Sequence, residues 1–264
     1  MEFEYFSSEE YENAFVHFGD IRKRIANLVV SLCKIDSMIV LDFLAGHGYL
    51  GLEVSKTSQS IKVVGIGLPN DVLTHLGIRK QLAQPEVFTS IDYVCTDGIA
   101  LPFSEGSFDL VVNFLGLEDL KMTRGKEGVE KALKDLSSLV SLGGFLQLSI
   151  VEYGDTPEEQ IAKGLWEAIG FDCTFFPENY YRELLEGLGL RLLNSVVFQF
   201  PKKMTSKQAK EEFEFACNEA PRIYAPFGVH AISFKELWSQ FGDRIEEHGV
   251  AYWSRIRVLV FRKV

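Results

Sequence analysis

The stretch that decides the fold is VLDFLAGHGYLG, Val40 to Gly51. An apolar run ends at Asp42, and Gly46 and Gly48 follow in a turn that leads into a helical pattern. Glycines in such a turn let the backbone come close to a ligand, and an acid at the end of a strand accepts hydrogen bonds from polar or cationic groups. The segment therefore predicts a strand, a ligand-binding turn and a helix.

Around this segment, short β-rich runs alternate with amphipathic stretches, which is typical of a mostly parallel sheet with helices on both faces. The predicted strands are Met38 to Phe43, Lys62 to Ile66, Ser90 to Val94, Phe108 to Asn113, Gly144 to Val151, Leu190 to Phe200 and Arg255 to Phe261. This alternation indicates the α/β class.

Several helices can be placed from apolar spacing and from capping residues. An apolar stripe predicts a helix before the first strand; its residues are Ile21, Ile25, Leu28, Val29 and Leu32. Apolar residues from Val129 to Val140 predict another helix, which the Gly143-Gly144 pair is expected to stop. A third begins after Thr156, because Pro157 and the capping-box Glu159 follow it.

An extra helical block is predicted between the last two strands. Its first helix runs from about Lys207 to Glu219, with apolar residues on one side. Its second helix is opened by Ser233 with Glu236 three residues on, and Gly242 is expected to end it. No linker composition interrupts the chain, so we expect one domain over residues 1–264: an N-terminal helical segment (1–36), a core (37–200), the insertion (201–250) and the last strand (251–264).

The composition is that of a folded globular protein, with 264 residues, 47% hydrophobic and 24% charged. The net charge of -10 argues against a DNA-binding surface, which needs clustered Lys and Arg. No apolar run reaches the roughly 18 to 20 residues that span a bilayer, and no basic and then apolar leader is recognised. We therefore expect a cytoplasmic protein that binds neither DNA nor membrane.

The cysteines predict neither a disulfide framework nor a metal site, because they are widely separated and lie in apolar stretches. They are interpreted as core thiols in a reducing compartment, at positions Cys33, Cys95, Cys173 and Cys217. No metal is expected.

Two ligand classes fit the glycine turn. From Gly46, the string Gly-His-Gly-Tyr-Leu-Gly satisfies the dinucleotide pattern Gly-x-Gly-x-x-Gly, which is weak evidence alone. The acid that should confirm it at the end of the second strand is replaced by Gly67. A nicotinamide-dependent oxidoreductase is therefore disfavoured.

From Asp42, the same segment resembles the first motif of the class I S-adenosylmethionine-dependent methyltransferases, an acid followed by spaced glycines. The resemblance continues in YVCTDGIALPFSEGSFDLVVNFLGLEDL, Tyr93 to Leu120, and in LVSLGGFLQLSI, Leu139 to Ile150. These matches follow the family's order and spacing over roughly residues 38 to 151. The resemblance implies a Rossmann-like, doubly wound, seven-stranded sheet and methyl transfer from S-adenosylmethionine to a small or medium-sized acceptor molecule.

The resemblance also implies a set of cofactor-binding residues, all at carboxyl ends of strands. The set is Asp42, Ala45, Gly46, Gly48, Gly67, Leu68, Asp97, Gly98, Asn113 and Phe114. The first four would line the methionine end of the cofactor. Asp97 would accept a hydrogen bond from the adenine amino group, Gly98 would lie beside the ring, and Asn113 and Phe114 would lie near the sulfonium.

Two positions depart from the family's pattern. Leu44 stands where the family usually has its first motif glycine, and Gly67 stands where it usually has the acid that binds the ribose hydroxyls. Losing hydrogen bonds to a carboxylate costs about 1.5 to 3 kcal/mol. Two alternatives are open. Asn70 or Asp71 contacts the ribose in place of the missing acid, or the chain is a methyltransferase-like binding or regulatory protein without turnover.

No catalytic residue is identified from the sequence. His47 is expected to face solvent or bond the backbone, and the adjacent acids Glu118 and Asp119 are expected to be solvated. The stretch Arg222 to Phe227 and His230 is the expected acceptor-side surface. The N-terminal aromatics are left open between a lid over the pocket and packing onto the core: Tyr5, Phe6 and Tyr11. A second aromatic cluster is expected to pack between helix and loop rather than to form an acceptor cage: Phe175, Phe176, Tyr180 and Tyr181.

Overall fold

The structure is a computed structural model that describes residues 20–33, 37–69, 72–73, 91–199, 203–219, 221, 224–251 and 254–264. Its strands are β1 Met38–Asp42, β2 Ile61–Gly67, β3 Ile91–Cys95, β4 Phe108–Phe114, β5 Val140–Glu152, β6 Leu190–Gln199 and β7 Arg255–Lys263. Its helices are α1 Ile21–Cys33, α2 Tyr49–Ser55, α3 Leu117–Leu139, α4 Pro157–Ala168, α5 Glu178–Gly187, α6 Ser206–Asn218 and α7 Phe234–His248, with a 3-10 turn at Ala225–Phe227.

The strands form one seven-stranded sheet in the order β3-β2-β1-β4-β5-β7-β6. Strands β1 to β5 are parallel, and β7 runs antiparallel to β5 and β6. The predicted fold class is confirmed. The strand order reverses beside β1, so the carboxyl ends of β1, β2 and β4 form the crevice where open α/β sheets bind ligands.

Two hydrophobic cores lie on the two faces of the sheet. On one face, fully buried Ile25 and Val29 of α1 belong to a core with residues of α2, β1, β2 and β5, and the predicted N-terminal helix is confirmed. On the other face, α3 packs through Leu133 and Leu136, and α5 packs through Tyr181. Both faces are covered because the parallel strands are apolar on both sides.

A third core lies entirely outside the sheet, in what we call the helical lobe: α4 together with residues 203–219 and 224–251. Ile161 of α4, Phe213 of α6 and Leu237 of α7 are fully buried in it. The lobe is closed by two backbone hydrogen bonds between Met204 and Val250, at 2.8 and 3.3 Å. The predicted insertion thus packs with α4 around a core of its own.

The prediction that Gly143-Gly144 stops a helix is wrong. Helix α3 ends at Leu139, and β5 begins at Val140, which pairs with Phe108. The pairing then jumps to Leu110 with Phe145, so the glycines lie in a bulge. A Cβ atom on Gly144 would lie 2.9 Å from the Asp109 carbonyl oxygen, and this close approach explains the glycine.

The prediction that Gly242 ends the last helix is also wrong, since α7 continues to His248 and Gly249 follows with φ 72°. Gly242 is buried inside the helix, where a Cβ would lie 2.8 Å from Nε1 of Trp238. The Trp238 ring, one turn earlier in the same helix, lies against Gly242, so a contact within the helix and not a helix end explains this glycine. The predicted start is confirmed, because the Ser233 hydroxyl accepts the Glu236 N–H.

The start of α4 is confirmed at Thr156, whose hydroxyl accepts the Glu159 N–H. The Glu159 carboxylate does not complete a capping box. It accepts hydrogen bonds from the Thr156 hydroxyl at 3.0 Å, from Ser254 at 3.0 Å and from Arg255 at 2.7 Å, and so ties the lobe to β7.

All four cysteines lie in the described part of the chain, and all are free thiols. Cys33 and Cys217 are buried and Cys173 is half-buried, but Cys95 is exposed. The interpretation as core thiols is therefore wrong for Cys95, because β3 is an edge strand. No helix among the described residues is both long and apolar enough to cross a bilayer.

Candidate functional site

The loop after β1 is held between the two neighbouring strands. The Phe43 N–H donates to the carbonyl of Val112 in β4 at 2.8 Å, and the Ala45 N–H donates to the carbonyl of Ile66 in β2 at 2.8 Å. The loop therefore lies across the crevice that the strand order creates.

Gly46 and Gly48 have φ angles of 52° and 77°, in the left-handed region that favours glycine. Gly48 is also the N-cap residue of α2. The Tyr93 hydroxyl donates to the Gly46 carbonyl at 2.8 Å, and its ring lies against Gly65. Tyr93 is not among the site residues predicted from the sequence. Its only sequence signal is that it is a large aromatic residue on β3, next to a strand that carries a glycine.

Asp42 is directed inwards and supports the start of α2. It is 2% exposed, and its Oδ2 accepts the Gly51 N–H at 2.8 Å. A Cβ on Gly51 would lie 2.7 Å from that oxygen. Burial raises the pKa of Asp42 to about 7, although the bond from Gly51 acts to lower it. Contact between Asp42 and the methionine end of a cofactor remains a prediction.

Leu44 joins three loops of the crevice. It has φ 52°, unusual for a residue other than glycine, and Leu115 after β4 has φ 62°. A Cβ on Gly98 or on Gly116 would each lie 2.7 Å from a Leu44 side-chain atom. The loops after β1, β3 and β4 therefore converge on this side chain. Such backbone conformations cluster at functional sites.

Asp97 holds a half-exposed carboxylate at the mouth of the crevice. Its Oδ1 accepts the Ile99 N–H at 3.1 Å, and its Oδ2 accepts Nη2 of Arg124 at 2.8 Å. The Arg124 guanidinium carbon also lies 4.8 Å from the centre of the Phe227 ring. Sequence reasoning missed Arg124, because nothing in the local pattern of α3 connects it to a loop 27 residues away.

Asn113 is fully buried at the end of β4. Its Nδ2 donates to the Phe43 carbonyl at 2.8 Å, and its backbone exchanges hydrogen bonds of 3.3 Å with the Gln147 side chain. Among the described residues, no group donates to its Oδ1. The neighbouring Phe114 is half-buried, with the Arg22 guanidinium carbon 5.9 Å from its ring centre.

Gly67 and Leu68 end β2 at the edge of the same crevice. The Gly67 carbonyl accepts the Thr96 N–H at 3.1 Å, which ties the loops after β2 and β3 together. The position carries no carboxylate for a ribose. The suggested substitutes Asn70 and Asp71 lie outside the described residues.

The acids Glu118 and Asp119 are less solvated than expected. Asp119 is exposed, but its Oδ1 accepts the Tyr224 hydroxyl at 2.7 Å. Glu118 is half-buried in the first turn of α3, and burial together with the charge of Asp119 raises its pKa well above the usual range. Burial and the same acids hold the pKa of Tyr224 well above its usual range. Glu118, Asp119 and Tyr224 therefore form one electrostatically coupled cluster between α3 and the lobe.

The other residues considered from the sequence lie in different parts of the molecule, and some lie outside the described residues. His47 is fully buried, so the solvent-facing interpretation is wrong. His230 is exposed in the lobe, whereas Arg222 and Ile223 lie outside the described residues, as do the N-terminal aromatics. Phe176 and Tyr180 pack with ring centres 4.2 Å apart. Within the described ranges, no three His, Cys, Asp or Glu residues are grouped to hold a metal ion.

A family model decides what this crevice belongs to: the model of the ubiE/COQ5 methyltransferase family matches residues 7–168, more than half of the chain. The chain belongs to the ubiE/COQ5 methyltransferase family. The match covers β1 to β5 and α4, and with them every residue of the predicted cofactor set. It stops before α5, so it does not reach the insertion of the helical lobe.

Curated relatives agree with this family. The chain is 28% identical over 157 residues to the ubiquinone/menaquinone biosynthesis C-methyltransferase UbiE of Blochmanniella pennsylvanica, covering 57% of this chain and 58% of that protein. It is 29% identical over 147 residues to the demethylmenaquinone methyltransferase of Thermus thermophilus, covering 55% and 61%. The match thus spans little more than half the length of these relatives.

Solved structures share the fold at low sequence identity. A putative methyltransferase from Bacillus halodurans superposes with a TM-score of 0.61 at 13% identity, covering 93% of this chain and 99% of that one. Magnesium protoporphyrin IX methyltransferase from Synechocystis, solved with bound SAH, gives 0.57 at 14%, covering 94% and 84%. The [4+2]-cyclase SpnF gives 0.59 at 17%, covering 91% and 81%.

Proposed function

We propose that this protein transfers a methyl group from S-adenosylmethionine to a small, quinone-like acceptor. The observation that carries the proposal is the convergence of the glycine loop, Asp97 and the end of β4 on one crevice, in a chain of the ubiE/COQ5 methyltransferase family. The site residues, the acceptor and a cytoplasmic location are part of the same proposal.

The residues of the crevice fit the cofactor at two of three places. Gly46 and Gly48 present bare backbone to the methionine end. The Asp97 carboxylate has one donor on each oxygen, and a carboxylate accepts about four hydrogen bonds, so capacity remains for the adenine amino group. At Gly67 the ribose hydroxyls find no carboxylate, which predicts weaker binding than in a family member that has the acid.

When bound, the cofactor supplies a methyl group already activated by its sulfonium. The protein's contribution is therefore to align the acceptor and to exclude water. The ties from Asn113 to Phe43 and from Tyr93 to Gly46 fix the floor of the crevice for that purpose.

A quinone-like acceptor is supported by the names of the curated relatives and by apolar side chains of this chain. Phe114 at the end of β4, Tyr153 after β5 and Phe175 before α5 are all half-buried against the same core. Flat apolar side chains at the carboxyl ends of β4 and β5 suit a planar ring, because aromatic rings stack on one another.

A binding or regulatory protein with this fold is the second candidate. The missing acid at Gly67 and the strained Leu44 favour it. The superposition on a [4+2]-cyclase is a reminder that the fold alone does not fix the chemistry.

The test is calorimetry of the purified protein with S-adenosylmethionine and S-adenosylhomocysteine, with NAD as a control ligand. We expect micromolar binding of both sulfur ligands and none of NAD, followed by labelled-methyl transfer to quinol ring compounds. Binding without transfer to any acceptor tested would favour the regulatory candidate, and no binding of either sulfur ligand would overturn the proposal.

A further inference from the structure

Helix α3 is broken near its start. Gly125 has φ 66° and ψ -169°, a backbone conformation that is essentially confined to glycine. No atom lies within 4 Å of a Cβ built there, so the backbone angle and not crowding requires glycine. The break divides α3 into a first segment, residues 117–124, and a second segment, residues 126–139.

The two segments share the sheet core but differ in what else they contact. The second segment is buried in the sheet core through Val129, Leu133 and Leu136, all fully buried. The first segment carries polar side chains that reach other parts of the chain: Asp119 bonds Tyr224, and Lys121 bonds Asp172 at 2.5 Å. Leu117 and Leu120 anchor the first segment in the same core, and its polar side chains tie it in addition to the loop at Asp172 and to the helical lobe.

Arg124, the last residue of the first segment, contacts both sides of the crevice. Its Nη2 lies 2.8 Å from Oδ2 of Asp97, and its guanidinium carbon lies 4.8 Å from the ring centre of Phe227, within the range of a cation–π contact. The Arg124 guanidinium thus connects the Asp97 carboxylate, which is expected to bind the adenine, to the 3-10 turn of the lobe.

We propose that Arg124 couples cofactor binding at Asp97 to the ordering of the turn Tyr224 to Gly228 in the helical lobe. The inference rests on the proposed function, since it requires an adenine at Asp97. A bound adenine fixes the Asp97 carboxylate, the carboxylate fixes the guanidinium, and the guanidinium holds the Phe227 ring. Ordering at one site then lowers the entropy cost of ordering at the other.

The consequence concerns the acceptor. The turn lies in the stretch expected to form the acceptor-side surface, and it is held to the first segment by the Tyr224–Asp119 bond as well. Cofactor binding therefore prepares the acceptor side, and because coupling is reciprocal, acceptor binding strengthens cofactor binding by the same factor. Arg124 acts as a positioning residue and not as a catalytic one.

Hydrogen exchange measures this coupling without turnover. The Gly228 N–H donates to the Ala225 carbonyl at 2.9 Å, and the Val229 N–H donates to the Tyr224 carbonyl at 3.4 Å. We expect saturating S-adenosylhomocysteine to slow exchange of these two amides by about fivefold or more in the whole chain, the lower end of typical coupling factors.

Two variants separate coupling from binding. Arg124→Lys keeps the charge beside Asp97 but loses the planar guanidinium, and Phe227→Leu keeps an apolar side chain without a ring face. Both should bind S-adenosylhomocysteine within about threefold of the unaltered protein, since the carboxylate is retained. In both, the ligand should no longer slow exchange in the turn.

Arg244→Lys is the matched control. Arg244 is an exposed residue of α7 in the same lobe, and its guanidinium carbon lies 5.9 Å from the Phe241 ring centre. The ligand-induced slowing should survive this change. Slowing that survives Arg124→Lys and Phe227→Leu, or ligand binding that slows nothing in the turn, would overturn the coupling alone. No ligand binding by the unaltered protein would overturn the proposed function and this inference with it.

Discussion

The crevice loops, which follow β1, β2, β3 and β4, and the helical lobe are built in opposite ways. The loops are short, glycine-containing segments held by backbone hydrogen bonds to neighbouring strands, with Leu44 in a left-handed conformation between them. The lobe is made of three helices around a separate core that includes Phe213 and Leu237. One region is fixed by the sheet and the other by its own packing.

Because the crevice loops and the lobe are held by different interactions, substitutions in one are expected to leave the structure of the other largely intact. Residues of the loops are constrained by strand pairing on both sides, so their geometry follows from the sheet. The lobe has a core of its own and meets the crevice through polar contacts from the first segment of α3, such as Asp119 to Tyr224 and Arg124 to Phe227. The family match covers the loops and, of the lobe, only α4; it stops before the insertion that supplies the rest of the lobe.

Phe213→Ala tests the separateness of the lobe and has the largest expected effect. Phe213 is fully buried against the Trp166 ring, with ring centres 5.3 Å apart. Truncating a buried Phe costs about 3 to 5 kcal/mol, and here the loss should fall on the lobe core.

We expect urea unfolding of Phe213→Ala to split into two transitions. In a Trp253→Phe background, the remaining Trp166 and Trp238 both lie in the lobe, so fluorescence should change before the circular dichroism of the sheet. Leu133→Ala in the sheet core is the control and should shift both signals together. A single transition in both variants would mean that the lobe is not a separate cooperative unit.

Asp97→Ala tests whether the crevice loops bind the cofactor. Removing a charged hydrogen-bond acceptor costs about 1.5 to 3 kcal/mol, so the dissociation constant of S-adenosylhomocysteine should rise roughly ten- to a hundredfold. Calorimetry measures it. Asp92→Ala, which changes an exposed acid on β3 just before this loop, should leave the constant unchanged. Equal effects of the two substitutions would point to general charge and not to a site at Asp97.

Asp42→Asn tests how deeply the loops are buried. The native Asp42 has a pKa of about 7 because of burial, against 3.8 when unfolded, so the native state keeps a proton that the unfolded state has lost. Its contribution to the free energy of unfolding therefore falls as pH rises from about 4 to 7, by up to about 1.4 kcal/mol per pH unit.

Asparagine accepts the Gly51 N–H without ionising, so Asp42→Asn should remove this slope. Denaturant unfolding at several pH values between 4 and 8 measures it, with exposed Asp92→Asn as the control. Parallel stability curves for the variant and the unaltered protein would show that Asp42 is ionised in the native state throughout this range.

Tyr93→Phe has the smallest expected effect. It removes the hydroxyl that donates to the Gly46 carbonyl and leaves the ring against Gly65. A single hydrogen bond contributes about 1 kcal/mol, so the thermal midpoint should fall slightly and ligand affinity should fall several-fold at most. An affinity loss as large as that of Asp97→Ala would instead assign the Tyr93 hydroxyl a direct contact with the ligand.

Much of the fold could be predicted because its signals are local. Every predicted strand is present within a few residues at its ends, and the capping residues Thr156 and Ser233 start helices as expected. The errors concern glycines. In the sequence Gly144 and Gly242 resemble helix ends. In the structure each position is glycine because another group lies where a Cβ atom would be.

The candidate site was predicted in part for the same reason. Carboxyl ends of strands can be read from the sequence, so Asp42, Gly46 and Asp97 could be placed on one edge of the sheet. The side chains that fix those residues come from distant elements. Arg124 has no sequence signal and Tyr93 only a weak one, because each acts on a residue far away in the chain.

By itself the sequence determined the α/β class and which residues end the strands, because hydrophobic period and turn chemistry are encoded over a few neighbouring positions. Only the tertiary structure decided that Leu44 joins three loops, that Glu118 is half-buried with a raised pKa, and that Arg124 links Asp97 to the lobe. These properties depend on distances between elements far apart in the chain, and those distances arise only when the cores pack.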